Sequence, residues 1–420
     1  MSVLNQVLLH PKQRVGADFD AWRAGGGGEG LRVALGKEPA EMIAMVRDAG
    51  LRGLGGSGYP TFRKWEFLAG QGETGDRYLI VNGNEDEPGT FKDRILLAET
   101  PHQVIEGAVI CAIACGINHV VFYINPDLTT ALAAMHAAVT QWRDSDLYCA
   151  LVEHLRRPVE LRVMASSGYY IGGEETAAIE SVEGKFPFPR HKPPYPAESG
   201  VHGLPTLVNN VETLANVSHI MRNGVEWFQR MGLGAATGTK IYCLSGDVLR
   251  PGAYELPMGT PLKELIFDHG GGMLVGLKLK AIFTGGPSNT ILTPKVLDVP
   301  LDFDSVAERR SALGTGAMIV VSEGTGIVKR VTEYVNFFAD NSCGQCPACK
   351  TGTYYISRLL SRIDTGNGSR SDLETLISLC QLLPGAGRCQ LLDGAVKVVD
   401  SSLYHFGSEY EKAVQLRHSR

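Results

Sequence analysis

The chain has 420 residues, 44% of them hydrophobic and 20% charged, with a formal net charge of −5. That length accommodates about two to four domains, and the composition is that of an ordinary soluble globular protein. The acidic balance and scattered basic residues exclude a phosphate-tracking nucleic-acid surface, Met1 to Gln6 does not begin a secretory signal, and no run of ~18 apolar residues predicts a membrane span.

Residues 1–30 read as an irregular arm, with Gly25 to Gly28 as a flexible surface loop. A helix is predicted from Glu38 to Leu51, with Pro39 in its first turn and Met42, Met45, Val46 and Leu51 on its apolar face. The next stretch, Arg52 to Trp65, carries Gly53, Gly55, Gly56 and Gly58. Backbone N–H groups there can face an anion with no Cβ in the way, and Lys64 adds a charge. The stretch follows a helix, not a strand, so it is not the usual dinucleotide fingerprint; a tight structural loop is the bland alternative.

Tyr78 to Val81 reads as a buried strand that runs into the polar segment Asn82 to Arg94. Open α/β sheets bind ligands at such strand ends, although the segment alone also fits a solvated acidic turn. A helix from Pro101 to Gly116 packs Val104, Ala108, Ile110, Cys111 and Cys115. A strand at His119–Ile124, a helix at Leu128–Arg143 and a strand at Glu160–Met164 follow. This alternation predicts a mainly parallel sheet. Ser166 to Glu180 again sets glycines between a strand and a helix, with Glu174 and Glu175 at the helix start. Carboxylates there either offset the helix dipole or hold sugar hydroxyls. Phe186 to Pro196 is too proline-rich and aromatic for a flexible linker and is predicted to be an extended strap presenting Lys192 and Tyr195. Val208 to Thr213 is predicted to open the next helix.

Composition shifts at Gly232–Gly238. From Lys240 to Ser322 short strands and turns predict a small α+β domain: a hairpin of Ile241–Gly246 with Arg250–Leu256, a short helix at Pro261–Asp268, and strands at Ala281–Gly286 and Ala317–Val321, with Cys243 structural. The remainder is helical, over Ile327–Ala339, Gly352–Ile363, Asp372–Leu383 and from Gly394 onward. Between the first two helices stand Cys343, Cys346 and Cys349 at three-residue intervals. With a distant fourth cysteine this run is a typical iron–sulfur ligand set. A structural zinc site, which prefers two separated Cys-x2-Cys pairs, is the alternative; a disulfide framework is the weakest reading in a large chain with nine cysteines. Leu373, Leu376, Ile377, Cys380 and Leu383 fall at helical spacing, which turns Cys380 toward a core. Cys389 follows the breaker Pro384–Gly387 on a loop and is favoured as the fourth ligand. The free thiols fit a reducing cytoplasm.

Five motifs, in order, carry a resemblance: Gly53-x-Gly-Gly-Ser-Gly-Tyr-Pro; Asn82-x-x-Glu-x-Glu-Pro-Gly-Thr-Phe-Lys-Asp-Arg; Gly173-Glu-Glu-Thr; Lys192-Pro-Pro-Tyr-Pro with Asn209-Asn-Val-Glu-Thr; and Ser342-Cys-x2-Cys-x2-Cys. Together they resemble the NADH-binding 51 kDa flavoprotein subunit of respiratory complex I and the related diaphorase subunits of NAD-linked hydrogenases and formate dehydrogenases. The resemblance implies an α/β plus α fold. A Rossmann-like FMN and NADH domain would occupy residues 1–232, arm included; a ubiquitin-like (SLBB, β-grasp) domain 239–326; and a helical bundle with a [4Fe–4S] cluster 327–420. It implies FMN contacts from Gly53, Gly55, Gly56, Gly58, Lys64, Asn82, Asn84, Glu85, Gly173, Glu174, Asn209, Asn210 and Thr213, with Tyr170 beside the flavin. Tyr59, Phe67, Glu87, Glu175, Lys192 and Tyr195 would shape the NADH site, and Cys343, Cys346, Cys349 and Cys389 would hold the cluster.

The implied activity is that of an NADH dehydrogenase (diaphorase) subunit that oxidises NADH, or reduces NAD, through FMN. Its electrons would pass to the cluster and on to partner redox subunits. Flavin chemistry needs no obligatory acid or base, so no residue is assigned as catalytic; Glu85 and Glu87 are candidates for electrostatic tuning only. A small thioredoxin-like [2Fe–2S] subunit is the implied partner within a multi-subunit complex. The implied location is cytoplasmic, peripheral to a membrane through partners. The competing reading is an iron–sulfur electron-transfer or scaffold subunit without flavin. It is motivated by Leu54 where the family commonly has arginine, Phe62 where it has glycine, and Asn84 where it has aspartate; Gly172 for cysteine and Leu391-Leu392 after the fourth cysteine are further departures.

Overall fold

The computed structural model describes residues 6–72 and 75–415. Its first sheet is built from β1 (Tyr78–Gly83), β2 (His119–Ile124), β3 (Glu160–Ala165) and β4 (Thr206–Asn210), all parallel, in the order β3-β2-β1-β4. β1 and β2 are buried on both faces, which explains their unbroken apolar runs, whereas β3 at the sheet edge is exposed at Glu160, Arg162 and Ala165. Leu79 and Val81 join the core under the helix Pro101–Cys115, while Ile80 and Val121 meet Ala178 and Ile179 of the helix Glu175–Val182 on the opposite face. Every residue of Pro101–Cys115 is buried, as its all-round apolar composition requires.

The parallel sheet is as expected, but three local readings are corrected. The arm is not irregular: Phe19–Ala24 and Glu29–Leu35 are helices, the first capped by Asp18, whose carboxylate accepts the Ala21 N–H at 2.9 Å. Gly27 and Gly28 are buried rather than part of a surface loop; a side chain on Gly27 would run into the Trp22 indole. Thr206–Asn210 is a strand, and the following helix starts at Val211 with Asn210 as its cap. An unpredicted helix, Asp146–Leu155, is capped by Ser145.

The second sheet has β5 (Thr239–Gly246), β6 (Gly252–Pro257), β7 (Leu279–Thr284), β8 (Ile291–Leu292) and β9 (Ala317–Ser322), ordered β6-β5-β9-β7-β8. The β5–β6 hairpin is present as predicted, and β5 runs parallel to β9. Cys243 is buried in β5 and accepts the Phe91 N–H at 3.2 Å. The core of this sheet includes Tyr242, Leu244, Met318, Phe303 and also Leu54, which reaches in from the glycine stretch. The N-terminal arm is tied to the second sheet at Glu255 of β6, whose buried carboxylate accepts the N–H groups of Val7 (2.9 Å), Leu8 (3.0 Å) and Leu9 (2.7 Å).

Four helices, Ile327–Asp340, Pro347–Asp364, Arg370–Leu382 and Leu391–Gln415, form the C-terminal bundle. Leu373, Leu376 and Cys380 face its core as expected; Ile377, placed on the same face by its spacing, is 41% exposed.

Candidate functional site

Two chambers open at the carboxyl ends of β1 and β4, an inner one of about 470 Å³ and an outer one of about 760 Å³. They share Gly55, Ser57, Asn82, Gly173, Glu174 and Asn210. The glycine loop between them is closed by the Gly53 N–H to Tyr59 carbonyl bond (2.8 Å), and Arg52 clamps it by donating to the Gly58 carbonyl (2.6 Å) while pairing with Asp304 (2.8 Å). A Cβ on Gly55 would fall 2.8 Å from the Cβ of Asn210, and Gly56 sits at φ +139° with open space in front of it. The loop therefore presents bare backbone to the cavity, the cradle a flavin phosphate and ring edge require. A short β-bridge joins Gly56 to Gly314, beside β9. Gly58 and Thr213 line neither chamber: Gly58 turns the loop against Phe303 at φ +62°, and Thr213 accepts the Leu54 N–H at 2.8 Å.

The turn after β1 is not a solvated acidic loop. Asn82 donates to the Gly173 carbonyl (2.9 Å), and buried Asn84 spends its amide on Asp86 (2.7 Å) and the Tyr169 carbonyl (3.1 Å). Glu85 has a fully buried side chain at φ +29° and accepts the N–H groups of Asp93 (2.5 Å) and Arg94 (3.1 Å), capping the helix Asp93–Glu99. Burial, reinforced by Asp93, raises its pKa. Glu87 lines the inner chamber, whereas Tyr59, Phe67, Glu175, Lys192 and Tyr195 line the outer one. One Glu87 oxygen accepts from the Tyr170 hydroxyl at 2.6 Å; the other is buried with no partner among the described residues. Burial raises the pKa of both Glu87 and Tyr170.

In the outer chamber the two carboxylates divide their roles. Glu174 caps its helix through the N–H groups of Thr176 (2.8 Å) and Ala177 (3.0 Å), as the dipole reading anticipated. Glu175 pairs with Lys64 at 2.7 Å and with Lys192. Burial would push its carboxyl up, but the two ammonium groups outweigh burial and hold it at about 2 against an ordinary 4.5. A depressed carboxylate contributes stability in full above its unfolded value and loses it as pH falls toward the folded one. Acid-induced loss of thermal stability between pH 4.5 and 2 is therefore expected to be shallower in Glu175→Gln than in the parent; equal slopes would show that the pair does not act on folding. Tyr59, Phe67 and Tyr195 are exposed at the mouth, Phe67 edge-on to Tyr195 at 6.2 Å. Such faces can stack on a base. Asn209 accepts the Trp65 indole N–H at 3.0 Å.

Sequence reading missed a buried charge network beneath Asn210. Glu212 pairs with Lys92 (2.8 Å) and Lys240 (2.5 Å), all three side chains having no solvent exposure, and accepts the Ile241 N–H at 2.7 Å. Lys92 also pairs with Asp93 (2.7 Å), which accepts from the Asn210 amide (2.7 Å). The second sheet's loops were missed as walls too: Gly285, Ser288, Gly314 and Thr315 line the inner chamber. The signal was present in Gly285-Gly286 and Gly314-x-Gly316, glycines at strand ends like those already singled out.

Cys343, Cys346, Cys349 and Cys389 line one small cavity with Ile171, Pro189, Gln345 and Arg388. Cys380 lies in the bundle core instead. The four thiols line one space, the arrangement that a multi-atom cluster takes up. Burial, and then the neighbouring Cys349 and Cys343, push the Cys389 thiol up to about 11, so gathering four thiolates here calls for a cationic core. Ile171, Cys389 and Leu391 line both this cavity and the inner chamber.

A parallel-sheet domain with a glycine cradle, joined to a four-cysteine cavity, defines a flavin-linked iron–sulfur electron-transfer protein. Three family models match in register with it: the Nuo51 FMN-binding domain over residues 46–219, the SLBB domain over 241–291 and the NADH-ubiquinone oxidoreductase-F iron-sulfur binding region over 329–413. The chain is 41% identical over 403 residues to the F 2 subunit of NADH-quinone oxidoreductase of Rhizobium meliloti (strain 1021), covering 95% of each chain. It is 42% identical over 396 residues to the F subunit of NADH-quinone oxidoreductase of Streptomyces coelicolor, covering 94% of this chain and 88% of that one. Among solved structures it resembles the NAD+-reducing [NiFe]-hydrogenase in the H2-reduced state, with a TM-score of 0.83 and 33% identity. The match covers 96% of this chain but only 65% of the hydrogenase chain. The chain belongs to the family of NADH-quinone oxidoreductase F subunits. It is an NADH-oxidising flavoprotein oxidoreductase subunit whose cofactors are FMN and a [4Fe–4S] cluster.

Proposed function

We propose that the two chambers form one electron path, with NADH admitted to the outer, FMN held at their junction, and the cluster beyond the inner. The observation that carries this reading is the wall formed by Ile171, Cys389 and Leu391, which belongs to both the inner chamber and the cysteine cavity. Bound FMN supplies the conversion of a two-electron hydride into single electrons. The chain's own residues do the positioning. Gly53, Gly55 and Gly56 offer backbone to the phosphate, and Lys64 offers charge in competition with Glu175. Asn82, Gly173 and Asn210 hold the junction; Tyr59, Phe67 and Tyr195 take the base; Glu175 and Lys192 take ribose and phosphate. Cys343, Cys346, Cys349 and Cys389 hold the cluster.

Of the three departures behind the flavin-free alternative, Asn84 lines the inner chamber with its amide engaged by Asp86 and the Tyr169 carbonyl, and the other two lie away from it. Leu54 is buried in the core of the second sheet, and Phe62 packs against the core of the first. Neither side chain lines a chamber. The division 1–232, 239–326 and 327–420 remains our reading of the domains. A small thioredoxin-like [2Fe–2S] protein within a multi-subunit complex remains our reading of the partner, supported by relatives named as subunits. No helix among the described residues is long and apolar enough to cross a membrane; a cytoplasmic position, peripheral to a membrane through partners, remains our reading, supported by relatives named as subunits of NADH-quinone oxidoreductase.

Anaerobic titration with NADH tests the path. Flavin absorbance is expected to bleach and the cluster signal to appear in the same titration, with NADPH ineffective. Absence of FMN in the heat-released supernatant, or bleaching by NADPH alone, would overturn it.

A further inference from the structure

The cysteine cavity has ten lining residues, and Arg388 is the only one that carries a formal positive charge. Two hydrogen bonds fix its position. Its backbone N–H donates to Cys346 Sγ at 3.4 Å, its guanidinium donates to the Pro189 carbonyl at 3.2 Å, and its Nε is buried without a partner among the described residues. Apart from the neutral Pro189 carbonyl, the guanidinium has no hydrogen-bond or ion-pair partner among the described residues. Two carboxylates act on the thiols in the opposite sense, Asp393 on Cys349 and Glu174 on Cys389. Each is engaged by backbone donors, Asp393 by the Gly385 N–H (2.8 Å) and Glu174 by its helix cap.

Resting on the cluster assignment above, we propose that Arg388 is a positioning and potential-setting residue for the cluster: its charge and its backbone N–H make the cluster easier to reduce. The electrostatic reason is direct. Reduction adds one electron, and therefore one negative charge, to an already anionic unit of cluster and four thiolates. A half-buried guanidinium at the cavity wall, with its Nε out of water, stabilises that added charge, and net charge and hydrogen bonds to sulfur are the levers that set such potentials. The electron arrives from reduced flavin and leaves to the next redox centre; Arg388 exchanges neither electron nor proton. Its role is to tilt flow toward the cluster.

The test is an anaerobic, EPR-monitored redox titration of the purified protein carrying FMN and cluster, for the parent, Arg388→Leu and Arg388→Lys, with iron and flavin measured on each. The midpoint potential of Arg388→Leu is expected to move to more negative values, and Arg388→Lys to recover most of the difference. An unchanged midpoint in Arg388→Leu with full iron would overturn the proposal. If the leucine variant loses iron, Arg388→Gln against Arg388→Lys decides it by the same criterion. Failure of the cluster assignment itself would show separately, as a parent protein without a cluster signal.

Discussion

Cys389→Ala is expected to lose the cluster, while Cys380→Ala keeps it. Both cysteines lie in the same part of the chain, where helical spacing turns Cys380 toward a core and favours Cys389 as ligand. Their surroundings agree. Cys389 leaves the loop that follows the helix Arg370–Leu382 and enters the cavity wall with Cys343, Cys346 and Cys349. Cys380 is packed among Leu373, Leu376 and the other apolar residues of the bundle. Removing Cys389 strips one of the four thiols that line the cavity, so iron and the reduced-state EPR signal should both disappear. NADH should still bleach the flavin, because the chambers keep all their other walls. Cys380→Ala deletes one buried heavy atom, which costs about 1 kcal/mol and leaves iron content unchanged. Full iron in Cys389→Ala would refute the ligand assignment.

The second large effect is expected on stability. Glu212→Gln should destabilise the fold by about 3–5 kcal/mol, the cost of breaking a buried ion pair and leaving its partner uncompensated. Here one carboxylate answers two buried ammonium groups, Lys92 at 2.8 Å and Lys240 at 2.5 Å. Burial raises the Glu212 pKa, but Lys240 and Lys92 outweigh it and bring the carboxyl below its ordinary value. Its contribution is therefore complete at neutral pH and lost on acidification. Because Lys92 also donates to Asn210 at 3.2 Å, flavin retention should weaken in parallel. Adding Lys240→Met removes one stranded cation and should restore part of the loss. An unfolding temperature in Glu212→Gln equal to the parent's would show that the network does not carry this weight.

What could be read from the residues alone follows from where their partners lie. β1 and β2 are legible because burial on both faces leaves continuous apolar runs; β3, at the sheet edge, is legible from the alternation of Leu161 and Val163 with Glu160 and Arg162. β4 is not: Thr206 to Asn210 ends in two asparagines, and asparagine at that place reads as a helix cap, which Asn210 also is. The arm helices are short and interrupted by glycine, and what holds them is distant, Trp22 in the aromatic cluster with Trp142 and the Leu31 N–H on Glu106 at 2.9 Å. At the site, the glycine loop, the β1 turn and the cysteine run stand out because their chemistry is local in sequence. Leu54 misled for the opposite reason. A missing charge is visible in a string of letters, but the apolar core that receives the replacement is built from residues more than a hundred positions away. The network of Lys92, Glu212 and Lys240 was hidden in the same way, since a charged residue does not announce its counterion.

The bridge between Gly56 and Gly314 bears on how such proteins diverge. A Cβ on Gly314 would lie 2.7 Å from the Cα of Gly285, and Gly285 and Gly314 both face the inner chamber. The cradle proposed for the flavin is thus moulded jointly by two sheets: the Gly285 and Gly314 turns leave each other no room for a side chain, while the bridged Gly56 opens onto the cavity. A chimaera that grafted the four-stranded sheet of one relative onto the β-grasp of another would inherit mismatched halves of a single mould. Descent with modification in this lineage must trade the two turns together, which makes the pair a heritable unit although more than two hundred residues separate its members.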